Sequence, residues 1–245
     1  MSRPPSDTQN DIHDLYRSDD VVSRYEQHRG LTAVERQIVD EFVPRDSRLL
    51  DIGIGAGRTT GDLAQRCDYT GIDWSPEMVA VAKQAYPEVA ISTGDARALD
   101  FPSESFDIVL FSFNGIDSLS LDGRHRTYLE AHRVLRPNGL FIFSSRNPRF
   151  VSLPPISREP RVLAGWLRRL PDATITALKG DAFRKGYGYN RFEHDGLTNF
   201  AASSKRVRQE LTDTGFTFTA EFASGPGPLP MVPWFYYVAE RREPT

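Results

Sequence analysis

The sequence predicts an α/β protein in which helices cover both faces of a mostly parallel sheet. Short apolar runs typical of buried strands alternate with segments of helical spacing from about residue 49 to residue 144. A glycine-rich turn joins the first of these runs directly to a helical segment, as in open α/β sheets. The length of 245 residues is enough for one α/β domain with a full core. One domain with additions is therefore expected.

The segments before the sheet are predicted to be helices. The first ten or so residues are polar and contain prolines, so they should be loosely held. Apolar residues at helical spacing from Ile12 to Tyr25 predict one or two short helices. Those from Leu31 to Phe42 predict another helix, which ends near Pro44.

Five strands and the helices between them are predicted in the central part of the chain. The strands are expected at about residues 49–53, 69–73, 89–92, 106–113 and 140–144. One helix begins at Ser75, a good N-cap, with Pro76 in its first turn, and another covers about residues 123–136. A Pro-Asn-Gly turn at residues 137–139 is expected to precede the fifth strand.

The C-terminal part breaks this alternation. Residues 203–214 are predicted to form a helix capped by Gly215, and residues 216–222 and 234–239 two strands joined by a Gly-Pro-rich turn. Strands joined in this way are expected to be antiparallel. Residues 148–199 do not fit the pattern of the core.

The composition excludes several classes of protein. A formal net charge of -3 gives no electrostatic basis for general nucleic-acid binding. The single cysteine, Cys67, can form neither an intrachain disulfide nor a thiolate metal cluster, so no metal site is predicted. The start of the chain has no apolar targeting region, and nowhere do eighteen apolar residues run together, so a cytoplasmic protein is expected.

The most informative stretch, residues 51–57, reads Asp-Ile-Gly-Ile-Gly-Ala-Gly and joins a strand to a helix. Gly53, Gly55 and Gly57 allow the backbone to turn tightly and to approach a ligand closely. In a parallel sheet this turn lies at the carboxyl end of the strand, where open α/β folds bind their ligands. A purely structural turn is the alternative, but three glycines spaced by single residues exceed what a turn requires.

The sixth position of this loop discriminates between cofactors. A dinucleotide fingerprint has glycine there, so that a pyrophosphate can rest on the helix N-terminus, whereas this chain has Arg58. A sulfonium cofactor has no phosphate, and its cationic amino-acid end needs carbonyl and carboxylate partners. Asp51 can supply that negative charge or orient the loop amides.

Two further acids follow the second and third strands. Asp73 stands where a carboxylate can accept hydrogen bonds from both hydroxyls of a ribose, with a helix N-terminal acid as the alternative. Asp95 could accept from an adenine amino group while the backbone amide of Ala96 donates to the ring. Trp74 and Met78 are placed to enclose adenine, with core packing as the alternative for Met78.

Five motifs occur in order between about residues 49 and 147, and together they resemble the class I S-adenosylmethionine-dependent methyltransferase family. They are Leu-Asp-Ile-Gly-Ile-Gly-Ala-Gly, Gly-Ile-Asp-Trp-Ser-Pro-Glu-Met, Gly-Asp-Ala-Arg, Phe-Asp-Ile-Val and Arg-Val-Leu-Arg-Pro-Asn-Gly. The resemblance implies a three-layer α/β sandwich whose seven-stranded, mostly parallel sheet has the order 3-2-1-4-5-7-6 and an antiparallel last strand. It also implies S-adenosylmethionine as cofactor and S-adenosylhomocysteine as product, with Asp73 at the ribose, Asp95 at the adenine and the glycine loop at the methionine part.

The resemblance also divides the chain. Residues 1–45 are expected to form a helical lid in which Tyr16 and Tyr25 cover the cofactor, with hydrophobic anchoring as the alternative for both tyrosines. Residues 46–147 and 200–245 are expected to form the cofactor-binding core. Residues 148–199 are expected to be an insertion that faces the substrate.

Residues 112–117, after the fourth strand, carry information about the class of acceptor. Family members that methylate base amines of nucleic acids usually have an Asp or Asn, two prolines and an aromatic residue here, and the absence of that pattern counts against a nucleic-acid acceptor. Phe113 is expected to line the cofactor. Asn114 is expected to orient the acceptor or line the cofactor, with a structural turn as the alternative. His194, in the insertion, is a candidate general base. Methyl displacement draws much of its rate from positioning, so no universal catalytic residue is required.

The insertion is more basic than the rest of the chain. Residues 148–199 carry nine Lys and Arg against five acids. This excess indicates a small acceptor that bears carboxylate or phosphate or is attached to an acidic carrier, with a solvated surface as the alternative.

These patterns predict methyl transfer to oxygen or nitrogen of a small metabolite, such as a sugar or a natural-product intermediate, by direct displacement. Three alternatives stand beside it: a nucleotide-dependent oxidoreductase, a non-catalytic cofactor-binding subunit of another methyltransferase, and other sulfonium chemistry. Arg58 counts against the first alternative. The intact Asp51, Asp73 and Asp95 count against the second.

Overall fold

The computed structural model describes residues 29–148, 187–191, 198–227 and 232–243, with only the backbone for residues 187–191 and 198–200. Nine strands are found in these ranges: β1 (Arg48–Ile52), β2 (Asp68–Asp73), β3 (Ala90–Thr93), β4 (Phe106–Phe111), β5 (Leu135–Arg146), β6 (Tyr187–Arg191), β7 (Thr198–Ala202), β8 (Phe216–Ala223) and β9 (Trp234–Arg241). Five α-helices accompany them there: α1 (Ala33–Phe42), α2 (Thr60–Ala64), α3 (Pro76–Ala85), α4 (Leu121–Val134) and α5 (Ser204–Asp213). A 3-10 helix, Gly115–Ser118, follows β4.

Seven of the strands form one sheet, in the order β3-β2-β1-β4-β5-β9-β8. The pairs among β1 to β5 are parallel, whereas β9 is antiparallel to both β5 and β8. Counted along the chain within this sheet alone, the order is 3-2-1-4-5-7-6 with an antiparallel last strand. The predicted sheet order and fold class are confirmed.

The two faces of the sheet are buried by different helices. Leu50 and Ile52 of β1 belong to one apolar cluster, which α4 and α5 complete, and Leu49 belongs to another, which α1 and α2 complete. Alternate residues of a strand point to opposite faces, so a continuous apolar run such as β1 is expected where both faces are covered. Helix α3 packs against β3 through a third cluster.

Local sequence explains where several helices begin. Ser75, Ser120 and Ser203 each cap a helix by accepting a hydrogen bond from a backbone N–H in its first turn. Thr32 and Glu35 form a reciprocal capping box at the start of α1. The predicted helix that ends near Pro44 is α1, and Gly215, at φ +89°, follows α5 as predicted.

The fifth strand begins earlier than predicted. Leu135 already pairs with Phe106 of β4, and the Pro-Asn-Gly sequence that follows forms an irregularity inside the strand, with Asn138 at φ +63°. The register shifts there before Leu140 pairs with Ile108. A turn sequence can be absorbed as a bulge when the strands on both sides of it continue to pair.

Two strands that the sequence pattern did not predict lie near the end of the insertion and just beyond it. Strands β6 and β7 form a separate antiparallel pair, from Tyr187 opposite Ala202 to Arg191 opposite Thr198. The backbone of β7 lies against the 3-10 helix and against β5. In the described ranges of the chain, no helix is long and apolar enough to cross a lipid bilayer.

Candidate functional site

The parallel strands bring the predicted site together at one edge of the sheet. Because β1 to β4 are parallel, the segments that follow them emerge side by side at their carboxyl ends. The glycine loop follows β1, Asp73 ends β2, Asp95 follows β3, and Phe113 with Asn114 follows β4. Residues that lie far apart in sequence therefore meet at one edge.

The glycine loop has a backbone conformation that only glycine adopts readily. Gly53, Gly55 and Gly57 have φ values of +68°, +56° and +86°. A Cβ atom at Gly53 would lie 2.8 Å from the ring of Phe111, and one at Gly57 would lie 3.0 Å from the ring of Tyr86. Both the conformation and the available space therefore require glycine at these two positions.

Asp73 joins the end of β2 to the glycine loop. Its Oδ2 accepts a hydrogen bond from the backbone N–H of Gly55 at 2.8 Å, and its Oδ1 accepts one from Ser75 at 2.9 Å. Burial raises the pKa of Asp73, and these backbone hydrogen bonds offset part of the increase. The backbone of Trp74 also contributes a hydrogen bond to this carboxylate. A carboxylate offers about four lone-pair sites, so capacity remains for a further donor.

Asp51 is a buried acid with an incompletely satisfied carboxyl group. Its side chain is 1% exposed, and Oδ2 accepts hydrogen bonds from the hydroxyls of Thr59 at 2.5 Å and Tyr69 at 3.0 Å. Within the described residues, Oδ1 has no hydrogen-bond partner. Burial raises the pKa of Asp51 to about 7, despite the two hydroxyl donors. Near neutral pH the carboxyl group is therefore partly protonated, and a cationic group beside it would favour the charged form.

Asp95 lies at the same edge but is engaged by a neighbour. Both of its oxygens accept from the guanidinium of Arg97, with Nη2 2.7 Å from Oδ2 and Nε 2.8 Å from Oδ1. An adenine amino group would have to share this carboxylate with Arg97. Ala96 is buried beside it.

The two residues predicted to enclose adenine differ in exposure. Trp74 is half-buried directly after β2, at the edge of the sheet. Met78 is only 1% exposed in the first turn of α3. This burial matches the core-packing alternative for Met78, and its contact with adenine stays a prediction.

Arg58, which the sequence marked only as a departure from a dinucleotide fingerprint, is the centre of a buried network. Its guanidinium forms a two-pronged ion pair with Glu35 of α1, and Tyr236 donates to the same carboxylate at 2.7 Å. Arg58 also donates to the Ser112 hydroxyl at 3.3 Å. Burial alone would raise the pKa of Glu35, but the hydrogen bonds and charge of Arg58, with those from Thr32 and Tyr236, lower it. An acid within the apolar spacing of α1 is the sequence signal that could have revealed the pair.

A short segment before α1 lies over the glycine loop. The guanidinium of Arg29 donates to the carbonyl of Ala56 at 2.6 Å, and Gly30 and Arg58 exchange hydrogen bonds at 2.8 and 3.0 Å. These contacts use carbonyl groups of the loop that no helix satisfies. They hold the outer side of the loop in place.

The segment after β4 has a strained backbone and a buried polar atom without a hydrogen-bond partner. Phe113 and Asn114 both lie in the left-handed region, at φ +55° and +63°, which is uncommon for a bulky residue such as Phe. The backbone N–H of Asn114 donates to the Ser144 hydroxyl at 2.7 Å. Its side chain is 7% exposed, and Oδ1 has no hydrogen-bond partner in the described part of the chain.

Phe113 projects from this segment and keeps 40% of its surface exposed. The guanidinium carbon of Arg58 lies 4.9 Å from the centre of its ring, and the ring of Trp234 meets it edge to face at 6.2 Å. The 3-10 helix that follows is fixed by Asp117, whose buried carboxylate accepts from Arg124, Ser145 and the backbone of Arg146. The strained segment is therefore held at both ends.

Three predicted site residues lie outside the described residues: Tyr16, Tyr25 and His194. Among the residues that are described, no group of three or more His, Cys, Asp and Glu side chains could hold a metal ion. Asp51, the glycine loop and Asp73 are called the connected unit below, because Asp51 lies just before the loop and Asp73 accepts a hydrogen bond from Gly55 in it.

The connected unit suits a cationic, phosphate-free cofactor. The glycine loop offers close backbone approach without side chains, and the unpartnered Oδ1 of Asp51 is a buried acceptor. A negative charge there would repel a pyrophosphate. Helix α2 has only five residues and begins at Thr60, three positions after Gly57, so it offers little of the dipole that dinucleotide sites use.

The sheet order, the antiparallel seventh strand and the site at the carboxyl edge define the class I methyltransferase fold. Residues 49–139 match the model of a family described as a methyltransferase domain. The chain therefore has the class I methyltransferase fold, and residues 49–139 are similar to a methyltransferase domain, as the ordered motifs indicated.

Two curated relatives illustrate this similarity. A demethylmenaquinone methyltransferase of Chlorobaculum parvum is 32% identical over 108 residues, which span 43% of this chain and 44% of the relative. A fatty-acid O-methyltransferase of Mycolicibacterium smegmatis is 31% identical over 137 residues, which span 54% of this chain and 44% of the relative. The chain spans less than half the length of either relative.

Solved structures extend the likeness of fold to nearly the whole chain. The 1,6-didemethyltoxoflavin-N1-methyltransferase of Burkholderia thailandensis, solved with 1,6-didemethyltoxoflavin and S-adenosylhomocysteine, superimposes with a TM-score of 0.65. The alignment covers 99% of this chain and 94% of that one, at 17% sequence identity. At this identity the likeness concerns the fold alone.

Proposed function

We propose that this protein transfers a methyl group from S-adenosylmethionine to an oxygen or nitrogen atom of a small metabolite. The observation that carries the proposal is the connected unit of Asp51, the glycine loop and Asp73. This unit suits the cofactor for three reasons. It has a loop amide, it has acidic side chains beside the loop, and no phosphate-binding helix follows the loop in the described residues. The family match over residues 49–139 supports the same conclusion.

Each part of the unit has a role in holding the cofactor. Asp73 would accept from the ribose through the lone-pair capacity that Gly55, Ser75 and Trp74 leave available. Asp51 would face positive charge with its unpartnered Oδ1, and the glycine loop would lie against the methionine part. When bound, S-adenosylmethionine supplies a methyl group on a sulfonium centre, which is open to direct displacement.

The other residues of the edge would position the acceptor and exclude water. Holding a nucleophile in line can supply much of the rate of such a displacement. Asn114 is the described residue with a buried acceptor oxygen on the segment after β4. His194 stays a prediction as a general base, and Tyr16 and Tyr25 stay predictions as lid residues.

The acceptor is proposed to be a small molecule, as it is in the relatives' names. Demethylmenaquinone and a fatty acid are named for the two curated relatives, and 1,6-didemethyltoxoflavin for the solved structure. The basic excess in residues 148–199 supports an acceptor that is anionic or attached to an acidic carrier. A sugar or a natural-product intermediate that bears a carboxylate or phosphate group fits this description. The sequence of residues 112–117 counts against nucleic acid, because it lacks the pattern of an Asp or Asn, two prolines and an aromatic residue.

Calorimetric titration with S-adenosylmethionine, S-adenosylhomocysteine and NADH tests the proposal. We expect micromolar binding of both sulfur compounds and none of NADH. Asp73→Ala should abolish this binding because it removes the carboxylate that joins β2 to Gly55. Asp68→Ala is the matched control, since Asp68 lies at the opposite end of β2 with its side chain 74% exposed.

Tight binding of NADH, or no binding of either sulfur compound, would contradict the proposal. Equal binding by the Asp73 and Asp68 variants would show that the cofactor lies elsewhere. Once binding is established, transfer is measured as a mass gain of one methyl group in a panel of metabolites.

A further inference from the structure

We propose that Phe113, Asn114 and Trp234 form a subsite for a flat aromatic acceptor that carries an O–H or N–H group. These three residues are called the aromatic subsite below. The inference rests on the proposed function and names the class of acceptor for that same edge of the sheet.

Phe113 provides an exposed ring, and its backbone conformation is unfavourable for a residue of its size. A bulky residue at φ +55° is strained, and the apolar side chain is still 40% exposed. Arg58 lies over the ring, and its own position is fixed by the ion pair with Glu35. The ring is therefore held in a defined place at the carboxyl edge, as a stacking surface requires.

Trp234 supplies a second ring and an unused donor. It begins β9, opposite Arg146 at the end of β5, and meets Phe113 edge to face at 6.2 Å. Its indole Nε1 is buried and has no hydrogen-bond partner in the described ranges. A buried donor without a partner destabilises the protein, so a ligand that accepts from it would recover that free energy.

Asn114 supplies the complementary acceptor. Its amide oxygen is buried without a partner among the described residues, while its backbone is fixed by the Ser144 hydroxyl. An amide oxygen accepts only, so it selects a ligand group that carries a hydrogen. A hydroxyl group or an N–H on an aromatic ring meets this requirement.

The three residues together favour a ring over an aliphatic chain. Aromatic rings attract one another beyond the burial of their area, and Phe113 and Trp234 present two rings at an interplanar angle of 64°. A saturated ligand of the same size could bury the same area but would lose this attraction. The preference for a flat ring is therefore measurable as a ratio of affinities.

The experiment uses the full chain saturated with S-adenosylhomocysteine and three matched probes: 2-naphthol, decahydro-2-naphthol and 2-methoxynaphthalene. Ligand-observed NMR titration gives the three affinities. We expect 2-naphthol to bind at least fivefold more tightly than decahydro-2-naphthol, because only the first is flat. We expect 2-methoxynaphthalene to bind at least threefold more weakly than 2-naphthol, because it lacks the O–H group.

Variants assign each preference to a residue. Phe113→Leu should reduce the preference for the flat ring to less than twofold. Asn114→Gly, which tolerates the positive φ, should remove the preference for the O–H group. Leu129→Ala is the control, since Leu129 is 47% exposed on α4, and it should keep both ratios.

Ratios within one variant cancel any general loss of folded protein. Equal binding of the flat and the saturated probe in the unmodified chain would overturn the subsite, as would ratios that both variants leave unchanged. Calorimetry with S-adenosylhomocysteine separates the two proposals: a chain that binds it without preferring flat probes contradicts the subsite alone. A chain that does not bind it contradicts the proposed function, and the subsite with it.

Discussion

The two halves of the carboxyl edge are built differently. In the cofactor half, after β1 and β2, Asp73 accepts backbone hydrogen bonds, the positive φ angles fall on glycines, and one buried polar atom, Asp51 Oδ1, has no partner among the described residues. In the acceptor half, after β4 and at the start of β9, positive φ angles fall on Phe113 and Asn114. Two polar atoms there, Asn114 Oδ1 and Trp234 Nε1, are buried without partners in the described structure.

This difference indicates that the cofactor half has its shape before a ligand binds, whereas the acceptor half is completed by its ligand. Glycines and backbone hydrogen bonds give the cofactor half its shape at little cost in strain. The acceptor half differs in its backbone strain, which falls on Phe113 and Asn114 beside the two unpartnered polar atoms. Strain of this kind is characteristic of ligand-binding segments. Arg58 connects the halves, because it follows the glycine loop and lies against Phe113. Five predictions arise from this comparison.

The largest effect is expected from Arg58→Met, which disconnects the two halves. Glu35 would be left buried without its cationic partner, and breaking one side of a buried ion pair costs about 3–5 kcal/mol. Urea unfolding should show this loss of free energy of unfolding. Arg36→Met is the control, because the pair of Arg36 with Asp62 is exposed, and such pairs contribute about 0–1 kcal/mol. Similar losses in both variants would mean that Arg58 does not connect the halves.

The next largest effect is expected from Gly53→Ala, which strains the cofactor half. A left-handed φ costs about 1–2 kcal/mol for a residue with a Cβ, and the contact with Phe111 adds a cost of similar size. We expect about 2–4 kcal/mol lower stability and loss of S-adenosylmethionine binding in calorimetry. Gly225→Ala should change neither, since a Cβ there meets nothing within 4 Å. Unchanged cofactor affinity in Gly53→Ala would place the ligand away from this loop.

A pH dependence of cofactor binding is expected from Asp51. Its pKa of about 7 in the free protein means that a cationic ligand must displace its proton at lower pH. Affinity for S-adenosylmethionine should therefore fall about tenfold from pH 8 to pH 6, since one pKa unit corresponds to a factor of ten. In Asp51→Asn this slope should disappear. A slope that persists in the variant would assign the titration to another group.

The carboxyl group of Asp51 should make the free protein less stable as the pH rises, although it should make cofactor binding tighter. Burial favours the neutral carboxyl in the folded state, so the free energy of unfolding should fall as the pH rises from about 4, where an unfolded Asp titrates, to about 7. Denaturation of the unmodified chain and of Asp51→Asn across this range checks the sign.

The smallest effect is expected from Ser144→Ala, which loosens the acceptor half alone. The variant removes the hydroxyl that accepts from the backbone of Asn114 and should cost about 1 kcal/mol. We expect weaker binding of the acceptor and little change in the affinity for S-adenosylhomocysteine. Ser105→Ala, which loses an exposed hydrogen bond to Pro102, is the control. An equal loss of both affinities would show that the halves are not independent.

The sequence by itself determined the fold class, the order of the elements and the cofactor half. These features depend on local patterns: apolar strands, serine caps, and a glycine loop followed by acids at the ends of successive strands. Backbone geometry at Gly53 to Gly57 is specified by the residues themselves, because few other residues adopt those angles. The parallel sheet then places Asp73 beside Gly55 without further information.

Only the tertiary structure decided how the rest of the edge is assembled. The ion pair of Arg58 with Glu35 spans 23 residues, and Tyr236 reaches the same carboxylate from 201 residues away. The ring of Trp234 meets Phe113 because β9 inserts between β5 and β8. Such contacts depend on side chains from distant segments that meet only after folding, and no local pattern specifies them. The pairing of β6 with β7 is local in sequence, but the sequence pattern did not predict it.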